Sequence, residues 1–115
     1  MTMLRGDVYQ ALLDPSRGSE QAGTRPVVIV SRDAINQFSP VVVVVPVTGR
    51  ENKRRIYPSQ AELKAGEGGL AKDSVALCEQ IRAIAVERLT ARLGHLPNSR
   101  IESINTALKI ALDLP

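Results

Sequence analysis

The sequence predicts a mainly β fold: a small, strongly bent sheet or barrel with one α-helix packed outside it. Three observations lead there. Short apolar, β-branched segments recur from residue 6 to residue 96, most clearly at 26–30 and 41–47. Clusters of Gly, Pro, Ser and Asn separate them, as turns do. Only residues 99–112 carry apolar side chains at sustained helical spacing. Short strands followed by a single terminal helix suit a curled sheet covered on one side.

The elements follow in order. Residues 6–13 read as a first strand, with Val8 and Leu12 apolar and Asp7 and Gln10 polar. Residues 14–24 form a loop rich in Pro, Ser and Gly. Residues 26–30, Pro-Val-Val-Ile-Val, are apolar on both faces, as a buried strand requires. Residues 33–38 suit one helical turn, with Ser31 or Asp33 as its cap. Residues 41–47 make a third strand buried on both sides. Pro46 removes one ladder donor there and marks an edge or a bulge near Thr48.

Beyond it, residues 49–55 read as a charged loop, 56–58 as the start of a short strand, and 61–69 as a polar, glycine-rich turn. Residues 73–85 read as one long strand with a bend or bulge. A brief helical turn at 87–91 precedes a last short strand at 92–96. In the terminal helix Ser99 and Glu102 match a capping box. Ile101, Ile104, Leu108, Ala111 and Leu112 make its apolar face.

A chain of 115 residues suits one domain, expected to span residues 1–115. No apolar run approaches the length of a membrane span, and the N-terminus lacks the apolar region of a signal peptide. A cytoplasmic location and no membrane partner are expected. Cys78 is the only cysteine, so no internal disulfide can form. Its apolar neighbours suggest a small buried hydrophobe, and no histidine or cation adjoins it to activate a thiolate. The formal charge is +3 and the basic side is 11 Arg against 4 Lys. That balance favours an anionic partner, and arginine's planar fork suits phosphate or carboxylate. With only Tyr9, Phe38 and Tyr57 as aromatics, a multi-base stacking sheet is not expected.

The candidate chemistry rests on few residues. Arg25 heads the second strand and closes a loop containing Gly18 and Gly23, with polar Ser19, Glu20 and Gln21 between them. Pro26 holds Arg25 in an extended conformation, which fixes the direction of its side chain. The loop lacks the Gly-Lys-Ser/Thr ending of a P-loop. Thr48 closes the third strand. Two neighbouring strands ending in an arginine and a hydroxyl can hold both against one phosphate. His95 is the only histidine, so a two-histidine acid–base ribonuclease within one chain is excluded, and His95 reads as structural. No cluster of Asp, Glu, His and Cys has metal-ligand spacing, so neither a metal nor another cofactor is expected. Asp7, Asp33 and Asp73 each adjoin a strand, where capping or turn roles explain them. Arg50, Lys53, Arg54 and Arg55 are either a solvated loop or a phosphate-tracking surface.

Four stretches occur together in order: Arg5-Gly6-Asp7-Val8-Tyr9, the Gly18–Val30 segment GSEQAGTRPVVIV, Pro46-Val47-Thr48 and Glu79-Gln80-Ile81-Arg82. In combination they resemble the MazF/PemK-like toxins of bacterial toxin–antitoxin pairs, across nearly the whole chain. The resemblance implies an SH3-like twisted barrel with a C-terminal helix, the fold shared by CcdB, PemK and MazF proteins, acting as a homodimer. It implies sequence-specific, metal-independent cleavage of single-stranded RNA, chiefly mRNA, through attack of the substrate 2′-hydroxyl. The products would carry 2′,3′-cyclic phosphate and 5′-hydroxyl ends. By the same resemblance Arg25 and Thr48 are the catalytic pair, and Ser19, Glu20, Ser74 and Gln80 position RNA. A MazE-like antitoxin with an acidic tail would neutralise the toxin and bind DNA together with it.

The chemistry suits this chain, because the nucleophile belongs to the substrate and no activated Ser or Cys is needed. Arg25 then supplies charge stabilisation, with proton donation to the leaving oxygen as a further role; an arginine keeps its proton at neutral pH and is a poor general base. One departure stands out: Ala85 occupies a place where the family often carries Asp or Ser. The alternatives are a gyrase poison of the CcdB type or an inactive relative that binds RNA or antitoxin. The first lacks support in a chain without tryptophan, and the intact Arg25–Thr48 pair argues against the second.

Overall fold

The computed structural model describes residues 2–13, 18, 20 and 23–115. The expectation for Ser19, and the part of the 14–24 loop at residues 14–17, 21 and 22, lie outside the described residues. Among the described residues, seven strands form one antiparallel sheet: β1 (Asp7–Leu12), β2 (Thr24–Ile29), β3 (Val41–Gly49), β4 (Gln60–Leu63), β5 (Ser74–Leu77), β6 (Arg82–Ala85) and β7 (Leu89–His95). Helix α1 (Asp33–Phe38) links β2 to β3, and α2 (Asn98–Leu112) follows β7. The strand order is β4-β5-β3-β2-β1-β7, with β6 also paired to β3.

The long valine run makes β3 the axis of the sheet. On one side Val44, Val45 and Pro46 pair with Ile29, Val28 and Val27 of β2. On the other, Val41–Val44 pair with β6, and Val47–Gly49 pair with β5. Alternation sends Val45 and Val47 into a core with Val8, Val28, Leu63, Leu96, Ile104 and Leu108. It sends Val42 and Val44 to the opposite face, with Tyr9, Ala11, Leu13, Val27, Ile29 and Ile84. Both faces are therefore apolar, as the β-branched sequence predicts.

Pro46 is neither at an edge nor in a bulge. It is buried and lies in the gap between the β6 and β5 ladders. Val43 accepts the Val30 N–H, so odd-numbered β3 residues turn their polar backbone groups toward β2. Pro46 therefore faces the gap, where a missing N–H costs least.

Several other expectations need correction. Residues 73–85 are two strands, because a 3₁₀ turn at Cys78–Gln80 interrupts them as β3 changes partners. The expected short strand begins at Gln60, not at 56–58, and extends into the predicted 61–69 turn as β4. The turn near residue 87 is a 3₁₀ turn, Val86–Arg88, and β7 begins directly after it. Neither helix has the expected side-chain cap. Asp33 instead accepts the Arg5 N–H at 2.7 Å, and the Ser31 hydroxyl hydrogen-bonds Asn36. The terminal helix starts one residue earlier than expected, behind Pro97, so the proposed Ser99–Glu102 box lies inside it. Ile104, Ala107 and Leu108 fill its buried face, whereas Leu112 remains 47% exposed.

The motif at residues 5–9 ties the structure together at one end. Arg5 donates from Nε to the Val30 carbonyl at 2.9 Å and from Nη2 to Asn105 Oδ1 on α2 at 2.6 Å. Gly6 has φ +95°, and a Cβ there would lie 2.5 Å from Ile101 Cδ1. Asp7, only 1% exposed, accepts the Leu4 N–H at 3.0 Å and pairs with His95 Nδ1 at 2.7 Å and Arg92 at 3.3 Å. Asp73 accepts the Ala65 N–H at 2.9 Å. The structural readings of His95, Asp7, Asp33 and Asp73 thus hold.

Burial raises the Asp7 pKa, but its hydrogen bonds from Leu4, His95 and Arg92 outweigh this and hold it below the usual carboxylate value. The resulting stabilisation is present above pH ~4, the unfolded value, and is lost as the pH falls through the lower folded value. Asp7→Asn should cost about 1–3 kcal/mol at pH 7. Urea unfolding at pH 7 and pH 3 should show the gap between wild type and variant shrinking in acid; a constant gap would exclude this origin.

Candidate functional site

The site grows from the β2–β3 register. The pairing Val27–Pro46 has its next same-face partners two residues along each strand, at Arg25 and Thr48. Cross-strand partners share a face, so both project from the side that carries Val27, Val42 and Val44. Arg25 is anchored from behind by its pairing with Ala11 in β1. The loop before it is closed at its base by the Leu13 N–H, which donates to the Gly23 carbonyl at 3.0 Å.

At the strand ends Arg25 and Thr48 also border one cavity of about 380 Å³, which takes in Gln10 and Val47 from the other face of the sheet together with Asn52, Lys72 and Ser74. Thr48 is nearly buried, at 5% exposure. Its backbone is fixed on both sides: β3 pairs there with Val75 of β5 and enters a 3₁₀ turn, Arg50–Asn52, immediately afterwards. The Arg50 N–H donates to the Asp73 carbonyl at 2.9 Å and secures that turn.

The turn brings in a residue that the sequence reading missed. Asn52 Nδ2 donates to Thr48 Oγ1 at 3.1 Å. A threonine hydroxyl has one proton and two acceptor positions. With one acceptor position filled by Asn52, the Thr48 proton remains available to donate to an incoming oxygen. The four-residue spacing from Thr48 was visible, but only the 3₁₀ turn makes it a contact.

Ser74 is buried and lines the same cavity, with its hydroxyl donating to the Lys72 carbonyl at 2.8 Å. Gln80 and Glu20 do not. They line a second cavity, also about 380 Å³, with Pro46, Glu79, Ile81 and Arg82. Pro46 borders this second cavity and its neighbours Val47 and Thr48 the first, so adjacent β3 residues separate the two.

Residues 4–112 match the model of the PemK-like, MazF-like toxins of type II toxin–antitoxin systems. The chain belongs to this MazF/PemK toxin family. A curated relative, the endoribonuclease MazF of Staphylococcus saprophyticus, is 46% identical over 112 residues, covering 97% of this chain and 92% of its own. A solved mycobacterial endoribonuclease, in complex with its cognate antitoxin, is 31% identical with a TM-score of 0.80, covering 98% of this chain and 97% of that one. MazF from Deinococcus radiodurans has the same fold, with a TM-score of 0.83 over 99% of each chain at 24% identity. The expected mainly β toxin fold with a C-terminal helix is therefore borne out.

In this MazF/PemK-family chain the single thiol takes no part in either cavity. Cys78 is buried in the core under α2, and burial, with a smaller contribution from the Glu79 charge, pushes its thiol up to about 12. Native protein at pH 8 should therefore leave Cys78 unmodified by a thiol-directed disulfide reagent over hours, with full reaction in denaturant. Rapid labelling of the folded protein would contradict its burial.

Proposed function

We propose that this chain cuts single-stranded RNA, chiefly mRNA, at the Arg25–Thr48 cavity by substrate-assisted transesterification. It is an endoribonuclease of the MazF type and the toxin of a toxin–antitoxin pair. The observation that carries the site assignment is the shared cavity of Arg25 and Thr48, in which Asn52 leaves the Thr48 proton available.

The substrate 2′-oxygen attacks the adjacent phosphorus, and the bond from phosphorus to the 5′-oxygen breaks. One proton leaves the 2′-hydroxyl and one arrives at the 5′-oxygen, giving a 2′,3′-cyclic phosphate and a 5′-hydroxyl. Negative charge grows on the non-bridging oxygens as the fifth bond to phosphorus forms. The Arg25 guanidinium meets that charge with paired N–H donors, and Thr48 donates to a phosphate oxygen or orients the 2′-hydroxyl. Positioning supplies the rest, because attack requires the 2′-oxygen in line with the leaving oxygen. Since arginine provides the charge stabilisation, this reaction requires no metal step.

Ser74 belongs to the wall of the reaction cavity, while Glu20 and Gln80 contact RNA from the second cavity, beyond Pro46. Ser19, in the same loop as Glu20, contributes to that RNA contact as well. The chain acts as a homodimer in the cytoplasm, where mRNA is available. One copy leaves apolar side chains in water, Phe38 above all at 80% exposure, which association can bury. A MazE-like antitoxin inhibits it by laying an acidic tail over the basic face, and the pair binds DNA together.

Purified toxin freed of antitoxin, incubated with mixed RNA in excess EDTA, should give fragments with 2′,3′-cyclic phosphate ends. Arg25→Ala and Thr48→Ala should each slow cleavage by about 10²–10³-fold. Asn52→Ala should slow it about tenfold, the loss of one orienting hydrogen bond. Wild-type rates in a folded Arg25→Ala protein, or no cutting by folded wild type, would overturn the assignment.

A further inference from the structure

The basic run at residues 50–55 leads out of the reaction cavity to the exposed aromatic ring of Tyr57. Asn52 lines both the Arg25–Thr48 cavity and a more open depression of about 610 Å³ formed with Lys53, Arg54, Arg55 and Tyr57. One side chain, the one bonded to Thr48, therefore borders both spaces.

Tyr57 is 48% exposed, an unusual position for a ring with no core to fill. Two cations attend it: the Arg55 guanidinium carbon lies 5.1 Å and the Lys53 ammonium 6.0 Å from the ring centre. Exposed contacts of this kind are weak, so a better partner can displace one of them.

The backbone beneath the ring is fixed. The Tyr57 N–H donates to Gln60 Oε1 at 3.2 Å, and the Gln60 N–H donates to the Tyr57 carbonyl at 2.9 Å. Gln60 is itself buried, and its Nε2 donates to Glu79 Oε2 at 2.6 Å. Glu79 lines the second cavity beside Gln80. The ring thus stands on a turn braced against the wall of the second cavity and lines the open depression that Asn52 shares with the first.

We propose that Tyr57, flanked by Lys53 and Arg55, is a base-stacking subsite for a nucleotide beside the cleaved phosphodiester of single-stranded RNA. The proposal rests on the RNA reading of the Arg25–Thr48 cavity. A base stacks on the phenol face while its phosphates meet the displaced cations, the combination that single-strand binders use. An acidic peptide would use the cations and leave the ring face without a partner, so RNA fits both features and a peptide only one. One stacking ring tolerates any base, so Tyr57 contributes affinity and register along the strand more than base identity.

The test uses an RNA centred on the mapped cut site, made uncleavable by a 2′-deoxy sugar at the attacking nucleotide, with 2-aminopurine placed at successive flanking positions. Wild type should quench the fluorescence strongly at one flanking position. Tyr57→Ala should abolish that quench, weaken binding about ten- to hundredfold and raise KM with little change in kcat; Tyr57→Phe should restore all three. Arg55→Ala should lower the salt dependence of binding by about 0.7 in the logarithmic slope. Equal RNA affinity for wild type and folded Tyr57→Ala, in a toxin that cuts RNA through Arg25, overturns the subsite alone. A polyglutamate peptide that binds through Tyr57 while RNA affinity stays unchanged overturns it in favour of a peptide site. A wild type that cuts no RNA overturns the underlying reading and the subsite with it.

Discussion

The structure depends on β3 being paired along both edges and packed on both faces. β2 takes one edge, while β6 and β5 divide the other. Its valines feed two cores, one under α2 and one on the opposite face. That double burial fixes register with little tolerance, because a slip of one residue would exchange every side chain between the cores. Thr48 inherits this constraint. It stands at the far end of a strand whose register is set by Val42 to Val47, so its hydroxyl is placed by packing that lies outside the cavity. Arg25 inherits it through β2, whose Val27 and Ile29 occupy the same apolar face.

A site built in this way works by placement more than by tuned acidity. Among the described residues, the cavity that holds Arg25 and Thr48 is lined by no histidine, cysteine or carboxylate. Its polar side chains are a guanidinium, three hydroxyls, two amides and an ammonium, of which Lys72 is paired with Glu51 at 2.9 Å. Such groups can bind and stabilise a phosphate that gains charge, and they suit a reaction whose nucleophile arrives with the substrate. The Asn52 contact fits this division of labour. An amide cannot move a proton at neutral pH, but it can decide which way a neighbouring hydroxyl points.

Much of this was legible in the sequence, and the losses have physical reasons. β2 and β3 were readable because unbroken β-branched runs have few other uses in a short chain. β4 was not: Gln60–Leu63 has four residues, two of them polar, and its identity as a strand comes from pairing with β5. The 73–85 segment looked continuous because the 3₁₀ turn at Cys78–Gln80 has no glycine or proline to mark it. The turn answers to the gap at Pro46 in β3, a long-range constraint that local patterning does not carry. The capping box failed for the opposite reason. Pro97 starts the helix a residue early, and a local motif match lost to the fixed φ of proline. At the site, Arg25 and Thr48 could each be placed at a strand end from sequence. Their opposition needed a register, and Asn52 needed a turn.

The arrangement separates chemistry from recognition in a way the fold itself enforces. The proposed reacting pair sits on β2 and β3, the strands whose valines feed both cores. Gln80 and Asn52 lie in 3₁₀ turns, and Tyr57 stands in the connection between β3 and β4, braced by Gln60 and Glu79 but carrying none of the apolar packing. Changes in those turns cost the fold little, because surface positions away from caps and buried networks usually shift stability by only about ±0.5 kcal/mol. The rim of the proposed site can therefore vary without disturbing the strands that hold Arg25 and Thr48. The part-buried Gln60–Glu79 bond sets the limit to that freedom, since it couples the Tyr57 turn to the wall that bears Gln80. That bond physically joins the two proposed recognition surfaces although they lie in different stretches of the chain.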